Sequence, residues 1–578
     1  MSRIRSQKGV ALLVSLGVML TMIGLCLGLF YIGLADSKQA TVNRGLIRAT
    51  AYAEGATEVG HKALINAVAQ CAPAPTGGTT TIGGVPMTYT ITKTGPMRSC
   101  VNANNLAESG QLYTIAATGE WNGMFKRVEK VVDVTAVPMF QFAIFYNGDL
   151  EIQPGPNLTI NGKVHTNGNM YLGADSVLKL NTNYVRAAGH IYRRSLATNL
   201  PTTGEVDILI NGTTNKFAKM LSQKQFSVAS VSGFDSSFLG LDANKDGDYS
   251  DKSDAAPWTQ GSLDLWNGTV KSIEHGYQPI TPPTRDLIEP YIASSGGDYT
   301  YNSVTGQYVK VAPGTGDYRM GSLRANAGIT VIDGKVCDAS GIEITDWTPG
   351  PTENPADNPI STSSIYDARE QKYITVTNID LALLNKAGYW PSNGLLYAMR
   401  TDTTVAQANG IRLKNGALFP APLTVASPDP VYVWGDYNAG NKTYPKQPAS
   451  IMTDAIDILS NSWDDTKSPG KLPHANPTII NAAIMTGACP TTAGSYNGGF
   501  ENLPRFHEKW DGSPATITGS FFYVWDSKYA EGKWAYGGDR YIALSRDWNY
   551  DTMFDDPTKM PPFTPSVYYT RQVAWITR

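Results

Sequence analysis

The first 35 residues divide into a short basic stretch and a long apolar one. Arg3, Arg5 and Lys8 precede an uncharged run from Val10 to Ala35. As a helix this run reaches ~39 Å, enough to cross a ~30 Å hydrocarbon core with some tilt. It predicts a transmembrane helix with a cytoplasmic N-terminus, so that everything after Ala35 is exported. A cleaved signal peptide is the alternative, but its apolar region is usually only about 7 to 15 residues long.

The helical pattern continues beyond the apolar run. No proline occurs from Asp36 to Gln70, and apolar residues recur there at spacings of three and four: Val42, Leu46, Ala49, Ala53, Ala56, Val59, Ala63 and Ala67. This pattern predicts one helix from Val10 to about Gln70, ~90 Å long. Its alanine-rich stripe suits close packing against a sheet or another helix.

The pattern then changes to strict alternation of apolar and polar residues. Three segments show it, separated by turns rich in Gly and Asn: Val85 to Thr92, Gln111 to Thr118 and Phe125 to Val137. Alternation of period two predicts an antiparallel sheet with one buried face. With the preceding helix, residues 36–138 are predicted to form a compact αβ unit.

A short basic leader ending in Gly, followed at once by an apolar helix, resembles a type IV prepilin. The segments KGVALLVSLGVMLTMIGLCLG and ATAYAEGATEVGHKALINAV are similar to the PilX-type minor pilins and related pseudopilins. The resemblance implies that residues 1–9 form a leader and that prepilin peptidase cuts between Gly9 and Val10. It also implies inner-membrane anchoring through residues 10–35, and packing with other pilins or pseudopilins of a type IV pilus or type II secretion system.

One position departs from the major pilins. They carry a Glu at the fifth mature residue, where it neutralises the N-terminal amine of a neighbour, whereas this chain has Val14. An unpaired amine in the membrane is costly, so a subunit without this Glu is poorly suited to repeated internal positions in a fibre. Many PilX-type proteins also lack it. Both considerations favour a minor component, such as one at the tip.

From about Pro138 short strands alternate with Asn-Gly turns. The units NGDLEI, NGKVHT and NGNMYL begin at Asn147, Asn161 and Asn167. They predict a β-solenoid, or β-helix-like, body with insertions over residues 139–430, with a β-sandwich as the alternative. Residues 431–578 are predicted to be an aromatic-rich β region containing one helix, from Met452 to Trp463. The late aromatic residues fit cross-strand packing better than a binding surface: Tyr523, Trp525, Trp534, Trp548 and Tyr550.

Composition agrees with a mainly β protein. The 578 residues are rich in Gly and aromatic residues, and only 17% are charged. That balance favours many short strands, and the length predicts several cores or one long solenoid. The 47 basic and 50 acidic residues form no long run of either sign, so no nucleic-acid partner is expected.

In an exported chain, cysteines favour disulfides. Cys71 and Cys100 flank the predicted sheet and are the favoured pair, whereas Cys26 lies in the membrane run. Cys337 and Cys489 are the candidates for a second bridge. Connectivity stays open, because sequence alone does not determine it.

An acidic loop offers a possible calcium site. Oxygen-bearing residues alternate before and after Gly247 as in the first half of an EF-hand loop: Asp242, Asn244, Asp246, Asp248, Ser250 and Asp254. The twelfth position is Ser253 rather than a bidentate acid, so Asp251 or Asp254 must substitute. A solvated acidic turn without an ion is the alternative.

No motif predicts an enzyme. The six histidines lack zinc-site spacing, and no nucleophile elbow or phosphate-binding loop occurs. Acidic residues near the end, including Asp547 and Asp551, offer only a weak case for a carbohydrate-cleaving β-helix. The sequence predicts a minor pilin-like structural component, displayed at the cell surface, that takes part in fibre assembly and priming. The main alternative is a membrane-anchored adhesin for surface glycans or proteins.

Overall fold

The computed structural model describes residues 4–69, 74–102, 106–200, 202–220, 234–235, 258–305, 307–312, 315–347, 358–492, 496–534 and 540–578. It begins with one long helix followed by an antiparallel meander. The bounds are α1 Ile4–Ala69, β1 Gly77–Ile82, β2 Val85–Val101, β3 Ala107–Trp121 and β4 Met124–Pro138. The long helix and the three predicted strand segments are therefore present, with longer strands than the alternation alone indicated.

The alternation explains this sheet. In β2, Met87, Tyr89 and Ile91 are buried against α1, and the residues between them are exposed. Asn122 and Gly123 join β3 to β4 with φ values of 49° and 74°. Two successive positive φ values match the right-handed twist of a hairpin, which is why Asn-Gly recurs at such turns.

The next part of the chain consists of short strands. Their bounds are β5 Phe142–Tyr146, β6 Leu150–Ile152, β7 Leu158–Asn161, β8 Lys163–Thr166, β9 Met170–Leu172, β10 Val177–Asn181, β11 Val185–Ala187, β12 Ile191–Arg193, β13 Glu205–Leu209, β14 Phe217–Lys219, β15 Phe234–Asp235 and β16 Val270–Lys271. Successive strands from β5 to β13 belong to three different sheets in rotation. Each strand from β5 to β10 therefore pairs in parallel with the strand three places later, as Leu158 with Leu178 and Met170 with Ile191.

A smaller group of elements follows. Its bounds are α2 Trp258–Trp266, β17 Tyr291–Gly297, β18 Tyr299–Asn302, β19 Gln307–Lys310, β20 Gly316–Met320, α3 Ser322–Asn326, β21 Ile329–Ile332 and β22 Lys335–Asp338. Strands β17 to β20 form a separate antiparallel sheet. Strand β21 joins a larger sheet through parallel pairing with the strand at Leu395–Met399.

Most of the remaining strands alternate between two sheets in which they pair in parallel. Their bounds, with one helix, are β23 Ile360–Asp367, β24 Lys372–Asp380, α4 Leu381–Lys386, β25 Leu395–Met399, β26 Gly410–Lys414, β27 Leu423–Ala426, β28 Val431–Trp434, β29 Ala449–Thr453, β30 Ile456–Leu459, β31 Thr478–Ala488, β32 Arg505–Phe506, β33 Pro514–Asp526 and β34 Ser545–Tyr550. From β24 to β32 the even-numbered strands form one sheet, and the odd-numbered strands β25 to β33 belong to the other. Strand β23 adds an antiparallel edge to the first of these sheets. The second sheet continues into the short strands at the start of the body, because Phe521 of β33 pairs in parallel with Ile144 of β5.

The last strand returns to the beginning of the fold. Strand β35, Ser566–Thr577, pairs antiparallel with β4, and Ser566 lies opposite Pro138. The Met139 N–H also donates to the Pro565 carbonyl at 2.8 Å. We call α1, β1 to β4 and β35 the helix–sheet module, and residues 139–565 the body. The body is thus inserted between two neighbouring strands of the module.

One predicted element is wrong. The sequence pattern predicts a helix from Met452 to Trp463, but β29 and β30 occupy half of that range, and no helix is found there. Every residue from Ala449 to Ser460 is buried, so the segment has no polar face of the kind an amphipathic helix shows. Parallel pairing of β29 with β27 and β31, and of β30 with β28, satisfies its backbone instead. The broad expectation of a mainly β protein with a long N-terminal helix is confirmed.

Candidate functional site: the apolar helix and the buried ionic cluster

The N-terminal half of α1 exposes its apolar side chains. Leu12, Leu13 and Tyr31 are 70% or more exposed, and no charged residue occurs from Val10 to Ala35. Among the described residues this is the one helix long and apolar enough to cross a membrane. The hydroxyls of Ser15 and Thr21 donate to the Leu12 and Val18 carbonyls at 2.9 and 2.8 Å, so both are satisfied within the helix itself.

One face of this half carries only small residues. Gly17, Thr21, Gly24 and Gly28 follow at spacings of four, three and four, which place them on the same side of the helix. A Cβ added at any of these glycines meets nothing within 4 Å. Small residues at such spacing allow two membrane helices to approach closely. The sequence analysis missed this face, although the Gly24 to Gly28 spacing was its visible signal.

The outer half of α1 packs on the sheet through the predicted alanine stripe. Ala49, Ala53 and Ala56 are fully buried. The approach is so close that a Cβ on Gly119 of β3 would collide with the Ala49 carbonyl oxygen. Val42, by contrast, is 45% exposed, because it lies before the point at which the sheet begins to cover the helix.

A buried lysine fixes the helix to the sheet. Lys130 of β4 is 5% exposed, and its Nζ lies 2.7 Å from Glu58 Oε1 and 3.0 Å from His61 Nδ1. The hydrogen bond from Lys130 lowers the pKa of Glu58. Burial, and then the Lys130 charge, lower the pKa of His61. The lysine therefore pairs with an ionised carboxylate and a neutral imidazole at neutral pH.

The predicted processing site lies within this helix. Gly9 and Val10 both belong to α1. Val14 lies in the apolar half and is 60% exposed. Cleavage between Gly9 and Val10 stays a prediction.

The body holds a group of three possible metal ligands. Within the described part of the chain, Asp367, Asp457 and His507 are the one such group, and all three are buried. His507 Nε2 lies 2.8 Å from Asp457 Oδ1, and its Nδ1 lies 3.7 Å from Asp367 Oδ1. The Tyr432 hydroxyl donates to Asp367 Oδ2 at 2.5 Å. We call these residues, with Arg369, Glu370 and Arg505, the ionic cluster.

The surroundings of the three ligands fit ion pairing better than a metal. The Ala368 N–H donates to His507 Nδ1 at 3.3 Å, so both ring nitrogens are already used. Arg505 contacts Glu370, and its Nε lies 3.6 Å from Asp457 Oδ1. Its positive charge compensates the Asp457 carboxylate, whose Oδ2 has no hydrogen bond. A divalent cation would add uncompensated charge to a buried group already supplied with cations.

The pKa shifts in the ionic cluster also reflect the pairing of buried charges. Burial alone raises the pKa of Asp367, but His507 and Arg505 beside it hold that pKa at about 2. Burial lowers the pKa of the neighbouring Arg369 to about 10. Asp367 is therefore ionised at neutral pH. The ionic cluster joins the β23–β24 turn to β28, β30 and β32, which were not predicted to meet.

The other predicted sites are placed less completely. The calcium loop, from Asp242 to Asp254, lies outside the described residues, as does Cys71. Cys100 lies exposed near the end of β2, and its pairing with Cys71 stays a prediction.

The second disulfide is corrected by the structure. Cys337 lies on β22 as a free thiol, and Cys489 directly follows β31. The sheet order places these two strands five positions apart, which is ~24 Å at the usual spacing. A disulfide needs Cα atoms within about 7 Å, so the two cysteines are too distant to pair.

The candidate acids of a carbohydrate-cleaving site have structural contacts. Asp551 is 5% exposed, accepts from Lys446 Nζ at 2.7 Å and caps the short helix after β34 through the Met553 N–H. Asp547 accepts from Asn549 Nδ2 at 2.8 Å. Of the aromatic residues, Trp525, Trp548 and Tyr550 are buried, as expected for packing.

No protein-family model matches the chain, and no curated protein matches its sequence. Among solved structures, the chain is similar to the competence-associated pilin ComZ from Thermus thermophilus, with 10% identity over 92% of this chain and 97% of that chain. The TM-score is 0.24. A score this low does not superimpose the two folds.

Proposed function

We propose that the protein is a membrane-anchored, pilin-like structural subunit, of the minor-pilin kind, in a type IV pilus or a type II secretion pseudopilus. One observation carries the proposal: a single unbroken helix is apolar and exposed over one half and packed on an antiparallel sheet over the other. The first half suits a bilayer, and the second joins it rigidly to the exported part.

The anchor offers a surface for helix partners. A smooth strip along the exposed helix consists of Gly17, Thr21, Gly24 and Gly28, and the hydroxyl within it needs no outside partner. Other pilin or pseudopilin helices are the partners proposed for this strip, before and after assembly. The missing Glu at Val14 favours a place at a fibre end rather than repeated internal positions.

The body is proposed to be a β-solenoid displayed outside the cytoplasm. Support comes from the parallel pairing of each strand from β5 to β10 with the strand three places later. One hydrophobic core also extends from these short strands into the two sheets formed by β24 to β33. Calcium in the loop from Asp242 to Asp254 remains part of this proposal. A non-catalytic role is proposed because the best candidate acid, Asp551, is already engaged by Lys446.

The first experiment determines the N-terminal residue and mass of the protein from host membranes and sheared surface fibres. We expect a mature chain starting at Val10. The variant Gly9→Leu should retain Met1, whereas Gly33→Leu, a matched change on the exposed helix, should be processed normally. Intact Met1 in wild-type fibres, or absence of the protein from fibres, would overturn the proposal.

A second experiment tests the helix partners. Gly24→Leu places a large side chain on the small-residue face and should reduce recovery in sheared fibres at least tenfold while leaving the membrane-bound amount unchanged. Gly33→Leu lies off this face and serves as the control. Equal recovery of both variants would show that the face is not used in assembly.

A further inference from the structure

A groove with a mixed polar and apolar lining lies where the body meets the helix–sheet module. It has a volume of about 680 Å³. The module contributes Val101 and Ala107 to its lining, and the body contributes the ends of β7, β10 and β13 with the residues that follow them: Asn161 to Lys163, Asn181 to Asn183, and Leu209 with Asn211 to Thr213. Strand β34 adds a fourth corner through Tyr550. Four neighbouring corners are separated by three strand spacings, so they make a groove ~14 Å long.

Stacked amides form the floor of the groove. Asn181 Nδ2 donates to Asn161 Oδ1 at 2.7 Å, and Asn161 Nδ2 lies 3.3 Å from Asn549 Oδ1. Parallel pairing places Asn161 directly beside Asn181 in the neighbouring coil. The ladder therefore repeats one polar side chain along the groove at the coil spacing. Among the described residues, Asn181 and Asn211 use their amide N–H groups as donors, and their Oδ1 atoms accept no protein hydrogen bond.

The groove has no net charge. Its lysine and its aspartate, Lys163 and Asp555, lie 3.6 Å apart, and the Tyr550 hydroxyl donates to the same carboxylate at 3.0 Å. The Tyr550 ring covers the Gly162 corner so closely that a Cβ there would lie 2.7 Å from Tyr550 Cγ. The charged groups neutralise each other, and the remaining polar groups of the lining are amides and hydroxyls.

We propose that this groove binds a neutral, linear saccharide chain lying along the body. A charged ligand finds no uncompensated charge, and an apolar ligand would desolvate the amides without replacing their hydrogen bonds. Saccharide hydroxyls both donate and accept, so they match the Asn181 and Asn211 oxygens and the amide N–H groups. The repeat of the ladder suits a polymer with a regular repeat. The inference rests on the body being exported, and it does not require assembly into a fibre.

The test uses the full chain in detergent micelles and isothermal titration. The probes are the neutral hexasaccharides cellohexaose, maltohexaose and chitohexaose, with anionic hexagalacturonate as the contrast. We expect at least one neutral probe to bind, and hexagalacturonate to bind at least tenfold more weakly. Asn181→Ala and Asn211→Ala should each weaken neutral binding about tenfold.

The matched control is Asn147→Ala. Asn147 accepts from Asn167 Nδ2 at 2.9 Å in a similar amide pair outside the groove, so its loss should leave binding unchanged. Thermal unfolding of all three variants separates loss of binding from loss of fold. Binding of no neutral probe, equal weakening by Asn147→Ala, or preference for hexagalacturonate would overturn the proposal. None of these outcomes bears on fibre assembly, which the N-terminal measurement tests separately.

Discussion

The helix–sheet module and the body both bury a cation, and they do so differently. In the module, Lys130 is buried, but its partner Glu58 is 64% exposed and keeps contact with water. In the body, Arg505 and its partners Asp457 and Glu370 are each 6% exposed or less. The module places its charge at a boundary, whereas the body encloses a complete set of charges. The stability of the body therefore depends on compensation between buried charges, whereas the stability of the module depends on the close packing of a helix on a sheet.

The largest expected effect concerns the way the two regions are joined. Removing residues 139–565 and linking Pro138 to Ser566 by an Asn-Gly turn should leave the module folded, because those two residues are already paired neighbours. Truncation before Ser566 should instead expose β4 as an edge and unfold much of the sheet. Hydrogen exchange of the β4 amides measures both outcomes. Unprotected β4 amides in the excised variant would show that the module depends on the body.

Replacing each buried cation measures the difference between the two regions directly. Arg505→Met leaves Asp457 and Glu370 buried without their cation and should cost about 3–5 kcal/mol of unfolding free energy. Lys130→Met leaves Glu58 in water and should cost about 1 kcal/mol or less. Denaturant unfolding followed by separate probes in the two regions gives both values. Equal costs would contradict the assignment of the ionic cluster as a closed charge network.

The pH dependence of stability should also belong to the body. Burial raises the pKa of Asp429 to about 8 and that of Glu501 to about 7, where the Glu151 charge adds to the effect. These pKa values lie above the unfolded values of about 4, so the folded state retains extra protons. The contribution of these two carboxyls to stability is therefore lost as pH rises from about 4 to 8. The pKa of Asp367 is lowered to about 2, so its contribution to stability is instead lost as the pH falls below about 4.

Between pH 6.5 and 8 the unfolding free energy should fall by about 2 kcal/mol, at up to about 1.4 kcal/mol per pH unit for each group. Below pH 6.5 His165 opposes this fall, because burial lowers its pKa to about 4 and its contribution to stability grows as the pH rises. The double variant Asp429→Asn and Glu501→Gln removes both titrations and should flatten the curve. A wild-type stability that rises over this range would show that these carboxyls are ionised in the folded body.

Sequence reasoning succeeded where each residue's environment follows from its immediate neighbours. The alanine stripe and the alternation in β2 to β4 are local patterns, and both predicted the packing seen at Ala53 and Tyr89. It failed at Met452 to Trp463, because a segment buried on both faces has no period, and its partner strands β27 and β31 are distant in the chain. The ionic cluster was missed for the same reason. Asp367 and His507 are distant in sequence, and only the pairing of strands in the sheet brings them together.

A single added methyl group tests the fit of the helix to the sheet. Gly119→Ala adds a methyl group against the Ala49 carbonyl, so α1 and β3 must separate, at a cost of about 1–3 kcal/mol. Gly148→Ala in the body is the matched control, because its Cβ would meet only a Tyr523 ring carbon at an ordinary 3.6 Å. If Gly119→Ala is as harmless as the control in thermal unfolding, the close approach of the alanine stripe does not limit the module. If only Gly119→Ala destabilises the protein, the module depends on steric fit where the body depends on charge.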